Sequence, residues 1–80
     1  MAAQLAAQVG VVVRALRTEA GLSQEELAAR CDLHRTYIGF IERGEKTITI
    51  ETAHKVARAF GLSLSQFFQR LEELEGSEGR

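Results

Sequence analysis

Residues 23–43 read SQEELAARCDLHRTYIGFIER, and this stretch decides the fold. Ser23-Gln24-Glu25-Glu26 is an S-x-x-E sequence, in which the Ser hydroxyl and the Glu carboxylate satisfy free N–H groups at a helix start. The helix so opened buries Leu27, Ala28 and Cys31 at helical spacing and stops at Asp32-Leu33-His34. Asp tolerates left-handed backbone better than most residues, so Asp32 can make the turn. A second short helix follows from about Arg35 to Arg43, with Ile38 and Ile41 turned inward and Gly44 at its stop.

Outward from this pair the periodicity stays helical. Leu5, Val9, Val12, Val13, Leu16 and Ala20 recur at three- and four-residue steps, one face of a first helix that Gly21 ends. Thr49 caps a fourth helix with Ile50, Ala53, Val56, Ala57 and Phe60 as its expected buried face. Ser63-Leu64-Ser65-Gln66 repeats the capping pattern and opens a fifth, with Leu64, Phe67, Phe68, Leu71 and Leu74 at helical spacing. With no Pro and no alternating β-branched run, the chain reads as all-α, five helices in one domain over residues 5–75. Residues 64–75 form the fifth helix, and 76–80 read as a frayed, flexible tail.

Composition narrows the function. Eighty residues, 45% hydrophobic and 26% charged, hold one small core and no deep catalytic cleft. A single Cys excludes an internal disulfide framework and a Cys-based zinc site. His34 and His54 are too far apart to suggest a metal pair, so neither metal nor cofactor is expected. No run reaches the roughly 18 apolar residues of a membrane span. The first Arg follows the opening apolar stretch, the reverse of a secretory signal. A soluble, reducing, cytoplasmic setting is the expectation. No catalytic constellation can be assembled, so no enzyme is expected. The net charge is −1. Residues 1–60 carry eight Lys/Arg against seven acids, and the rest two against four. Any basic surface must come from local placement.

Two short helices joined by a three-residue turn are a DNA-binding geometry as well as a common structural one. The helix beginning at Arg35 presents Arg35, Thr36, Gly39, Phe40 and Arg43 as one outward stripe, starting at the end where a recognition helix meets base edges. A cation at a helix N-terminus opposes the macrodipole, which suggests a use for Arg35. Gly39 in mid-helix costs about 0.8–1 kcal/mol relative to Ala, which suggests that a side chain there would obstruct close approach.

At these residues the chain resembles the lambda-repressor-like, Xre-type helix-turn-helix family of bacterial and phage regulators. The matching motifs are Arg14, Leu16-Arg17, Gly21-Leu22-Ser23-Gln24-Glu25-Glu26-Leu27-Ala28, Ile38-x-x-Ile41-Glu42-Arg43-Gly44 and Ala57-x-Ala59-Phe60-Gly61-Leu62. Arg35-Thr36-Tyr37-Ile38 is further similar to controller proteins of restriction–modification systems. The departures are Asp32 where the family favours Gly, Gly39 where controllers often carry Ser, Lys46-Thr47 where they often carry Asn, and His34 where a Ser or Asp cap is usual. His34 leaves the recognition helix less well capped unless another group supplies the acceptor.

The resemblance implies a sequence-specific, DNA-binding transcription regulator, a homodimer on a pseudo-palindromic operator, with RNA polymerase as a further partner. The alternative is an antitoxin-type DNA-binding and protein-interaction module. Arg35 and Thr36 are expected at base edges. Phe40 is divided between a thymine methyl and the local core. Gln24, Tyr37, Arg43 and Lys46 are expected at phosphates, with Arg43 able to pair instead with Glu42 or Glu45. Glu42 is expected in an internal salt bridge to Arg17 or Arg14, and Arg17 is divided between that bridge and phosphate. Phe67, Phe68 and Leu71 exceed what one core face needs and are expected to form the dimer interface.

Overall fold

A computed structural model describes the backbone of residues 2–78 and the side chains of residues 4–74. Five helices follow one another: α1 (Ala2–Glu19), α2 (Gln24–Cys31), α3 (Arg35–Glu42), α4 (Ile50–Ala59) and α5 (Leu64–Glu78), with no strand among the described residues. α3 lies against α1 and α2, α4 bridges α2 to α5, and α5 returns to α1.

The start signals act as the sequence implies. Ser23 and Glu26 form the reciprocal capping box. The bonds from Ser23 hold the Glu26 carboxyl below the usual carboxylate range. Thr49 caps α4 through the Thr52 N–H, and Ser63 with Gln66 closes the box at α5. The turn after α2 rests on Asp32 in the left-handed region (φ 56°), with the Leu33 N–H donating back to the Ala28 carbonyl at 2.9 Å. This six-to-one bond is the Schellman closure, made here on Asp rather than Gly.

The core joins Val9, Val12, Val13 and Leu16 of α1 to Leu27, Ala28 and Cys31 of α2, Ile38 and Ile41 of α3, Val56 and Ala57 of α4, and Phe67 of α5. Burial pushes the Cys31 thiol pKa up, as befits a small core residue. Removing a fully buried Leu27 or Ile38 side chain to Ala costs about 2–5 kcal/mol in such a setting.

Two close backbone approaches fix α1 across the end of α3. A Cβ on Gly10 would lie 2.5 Å from the Ile41 carbonyl oxygen and 2.6 Å from that of Glu42. Beyond α3, Gly44 takes φ 73° with its α-carbon region set against the Ala7 backbone. The start of α1 thereby sets where the last turn of α3 sits.

Several expectations need correction. Leu5 and Ala20 are exposed, so the buried stripe of α1 is shorter than its periodicity. Ile50 is 72% exposed because it opens α4 beyond the reach of the neighbouring helices, and Thr52 takes the buried place. Phe60 is only half-buried. The fifth helix runs past residue 75 to Glu78, so most of the expected tail is helical; Gly79 and Arg80 lie outside the described residues.

Candidate nucleic-acid interface

The site is built on a polar hub behind α3. The Arg17 guanidinium donates from Nε to Glu42 Oε2 at 2.6 Å and from Nη2 to Glu42 Oε1 at 3.0 Å. Its Nη1 reaches the Leu22 carbonyl at 2.8 Å, tying the α1–α2 connection to the same group. Gln24 adds a third donor to Glu42, from Nε2 to Oε1 at 3.1 Å. The Glu42 side chain is 4% exposed and that of Arg17 14%. The hydrogen bond to Glu42 raises the Arg17 pKa. A fork-to-fork pair of this kind fixes geometry as well as charge, and it locks α1, α2 and α3 together. The expected bridge from Glu42 thus goes to Arg17, and Arg14 is exposed.

Gln24, expected at a phosphate, is half-buried with its amide held by Glu42. An amide nitrogen carries two hydrogens, and Glu42 uses one. Gln24 is itself the first residue of α2, where free helix N–H groups favour an anion.

At the start of α3, His34 Nδ1 accepts the Thr36 N–H at 3.1 Å. The imidazole is itself the cap, which corrects the expectation of a poorly capped helix. Arg35 stands in solvent, 68% exposed, with only a loose 3.9 Å approach to Glu25. Thr36 is exposed beside it, and Tyr37 is half-buried against the core. Phe40 is half-buried beneath two cations, with Arg43 Cζ 5.4 Å and Lys46 Nζ 5.7 Å from its ring centroid. Arg43 pairs with Glu45 at 2.7 Å, the second of its two foreseen partners. Phe40, Arg43 and Lys46 therefore cluster at the end of α3, and Arg35 and Thr36 stand exposed at its start. Glu25 and Glu45 temper its charge.

The apolar surplus on α5 is smaller than expected. Phe67 is 0% exposed and Leu71 is buried, so both close the core and neither is free for a partner. Phe68, 37% exposed and edge-on to Phe67, is the one expected interface residue at the surface. Sequence reasoning missed Val11, which is exposed on α1 together with Leu5, a residue expected on the buried face. It also missed Gly10, although a glycine within an apolar helical run is itself a signal of close packing.

Among the described residues no cluster of three or more His, Cys, Asp and Glu side chains is placed to hold a metal ion. Among the described residues no helix is long and apolar enough to cross a membrane.

Residues 13–67 match the family described as Helix-turn-helix. Control protein C.SmaI of Serratia marcescens is 40% identical over 67 residues, spanning 84% of this chain and 79% of that protein. Control protein C.BamHI of Bacillus amyloliquefaciens is 44% identical over 54 residues, 66% of this chain and 67% of that protein. Among solved structures, the restriction–modification controller protein C.Esp1396I, a tetramer in complex with its natural 35 base-pair operator, is 35% identical. It superposes with a TM-score of 0.79 over 86% of this chain and 91% of that one. With the five-helix fold, the two short helices at its centre and these relatives in register, the chain belongs to the helix-turn-helix family of transcription regulators.

Proposed function

We propose that this chain is a sequence-specific DNA-binding regulator of transcription, a controller of a restriction–modification system, acting in the cytoplasm on the nucleoid. The carrying observation is the placement of Arg35, Thr36, Phe40 and Arg43 on the outer side of an α3 that is clamped from behind by Arg17, Glu42 and Gln24. A rigid helix with a polar, cationic outer stripe fits the major groove. Arg35 and Thr36 reach base edges. Gln24, Tyr37 and Lys46 hold phosphates, and Phe40 supports the cations above it and meets a thymine methyl. The relatives named as control proteins support the controller assignment.

The chain acts as a homodimer on a pseudo-palindromic operator. Its interface is centred on Phe68 of α5, since Phe67 and Leu71 are committed to the core. It influences transcription by excluding or recruiting RNA polymerase at the promoter, and has no catalytic step of its own.

The test is selection of bound duplexes from a random pool, followed by titration of the winner against scrambled DNA at several salt concentrations. A selected site with half-sites about one turn apart, bound about 10³-fold or more tighter than scrambled DNA, is the expected result. If the dimer neutralises six to ten phosphates, affinity falls roughly 10³- to 10⁵-fold between 50 and 200 mM salt. No enrichment from the pool, or a salt slope near zero, contradicts the proposal.

A further inference from the structure

Gly39 is buried although it lies on the outward stripe of α3. What covers it is Arg43, one turn later on the same stripe. A Cβ built on Gly39 would meet Arg43 Nη1 at 3.0 Å, and Cζ and Nη2 at 3.7 Å. The guanidinium does not trail off the end of the helix. It folds back toward the N-terminus, the direction in which long helical side chains lean.

Three contacts hold it there. Gly39 provides the seat by having no side chain. The Phe40 ring lies 5.4 Å from Cζ. Glu45, just beyond the helix, accepts the Nε–H at 2.7 Å. The last contact selects which donors remain. Nε is taken, and the two terminal nitrogens, the pair that matches guanine O6 and N7, are left for a ligand.

We infer that Arg43 is a second base-reading residue, seated by Gly39 and aimed by Glu45, rather than a phosphate contact at the end of the recognition helix. The inference rests on the DNA-binding reading above and replaces the phosphate contact expected of Arg43 from the sequence. Its guanidinium lies at the level of Gly39, four residues or about 6 Å along the helix axis from the α-carbon of Arg35. That separation is nearly two base steps of roughly 3.4 Å. The Arg35 side chain leans toward the N-terminus as well, so the two arginines address separate positions of one half-site. Glu45 is a positioning residue: its carboxylate repels phosphate, and its return is the fixed orientation of the fork.

The test is a competition titration of wild type, Arg43→Ala, Gly39→Ala, Glu45→Ala and Glu45→Gln against the selected operator and a set of its single-base-pair substitutions. Arg43→Ala is expected to erase the preference at one position per half-site, a loss of discrimination of about 5- to 150-fold there. Gly39→Ala is expected to weaken the same preference while raising the melting temperature, because Ala suits a helix better than Gly. Loss of preference in a more stable protein separates displacement of Arg43 from unfolding. Glu45→Ala is expected to blunt the preference. Glu45→Gln, which keeps an acceptor for Nε–H, is expected to retain it and to bind all DNA more tightly. If Arg43→Ala weakens every operator by one common factor and leaves the preference pattern intact, the inference is overturned while the regulator reading stands. If Gly39→Ala keeps the full pattern, the seat is refuted. A wild type with no preference among the operators sinks both readings together.

Discussion

Glu42→Ala removes the acceptor on which three elements converge. Arg17 loses two charge-assisted bonds, at 2.6 and 3.0 Å, and Gln24 loses one at 3.1 Å. Breaking a fully buried pair from one side costs about 3–5 kcal/mol, because a charge is left without compensation. Arg17 keeps its bond to the Leu22 carbonyl, and its side chain is 14% exposed, so water recovers part of the loss. A cost of about 2–4 kcal/mol follows. For a domain of this size each kcal/mol moves the melting temperature by about 4–8 °C, so a fall of at least 8 °C is expected by calorimetry. The double variant Arg17→Ala/Glu42→Ala removes both charges and is expected to be no worse than the weaker single variant plus about 1 kcal/mol. A Glu42→Ala cost below about 1 kcal/mol, or fully additive effects of the two substitutions, would show that the hub is a surface pair of the ordinary weak kind.

Gly10→Ala is expected to destabilise the domain despite the better helix propensity of Ala, since the new Cβ meets two α3 carbonyl oxygens at 2.5 and 2.6 Å. The cost is about 1–3 kcal/mol, read by urea unfolding, and a stabilised variant would refute the close crossing. His34→Ala is expected to cost about 0.5–2 kcal/mol by loss of the Thr36 N–H acceptor, with His34→Asp recovering it; equal stability of all three proteins would deny the cap. Phe68→Glu is expected to give a folded monomer by sedimentation equilibrium, whereas Phe67→Glu and Leu71→Glu lose the fold itself. A folded Phe67→Glu monomer, or an unchanged Phe68→Glu dimer, would move the interface elsewhere.

The five helices were legible because their starts carry local chemistry. Ser23 with Glu26, Thr49, and Ser63 with Gln66 are read from a few residues each, and all three act as caps. Glu42 was legible as no phosphate ligand because it is an acid, and its internal bridge came from the family resemblance; the partner is Arg17. What periodicity hid was how much partner surface each face meets. Ile50 and Phe67 both sit at helical spacing with their neighbours, yet one is 72% exposed and the other 0%. That difference depends on where α4 begins relative to the other helices and on how deeply α5 enters between α1 and α4. His34 was hidden for a different reason: imidazole is not among the usual caps, yet its Nδ1 accepts the Thr36 N–H. Gly39 stands out in the sequence by its helix cost; what the sequence does not give is its neighbour, since a Cβ there would meet Arg43 Nη1 of its own helix at 3.0 Å.

The central claim is that α3 reads bases through its exposed start, at Arg35, on a frame held by Glu42. The most direct measurement is the affinity of Arg35→Ala for the selected operator and for each of its single-base-pair substitutions. Arg35 is 68% exposed and only loosely approached by Glu25, so its removal leaves the fold intact. The account predicts a loss of about 1–3 kcal/mol per half-site, with preference relaxed at one position and kept at the others. If Arg35→Ala weakens every sequence by the same factor and leaves the pattern of preference unchanged, Arg35 holds phosphate, and the claim is contradicted.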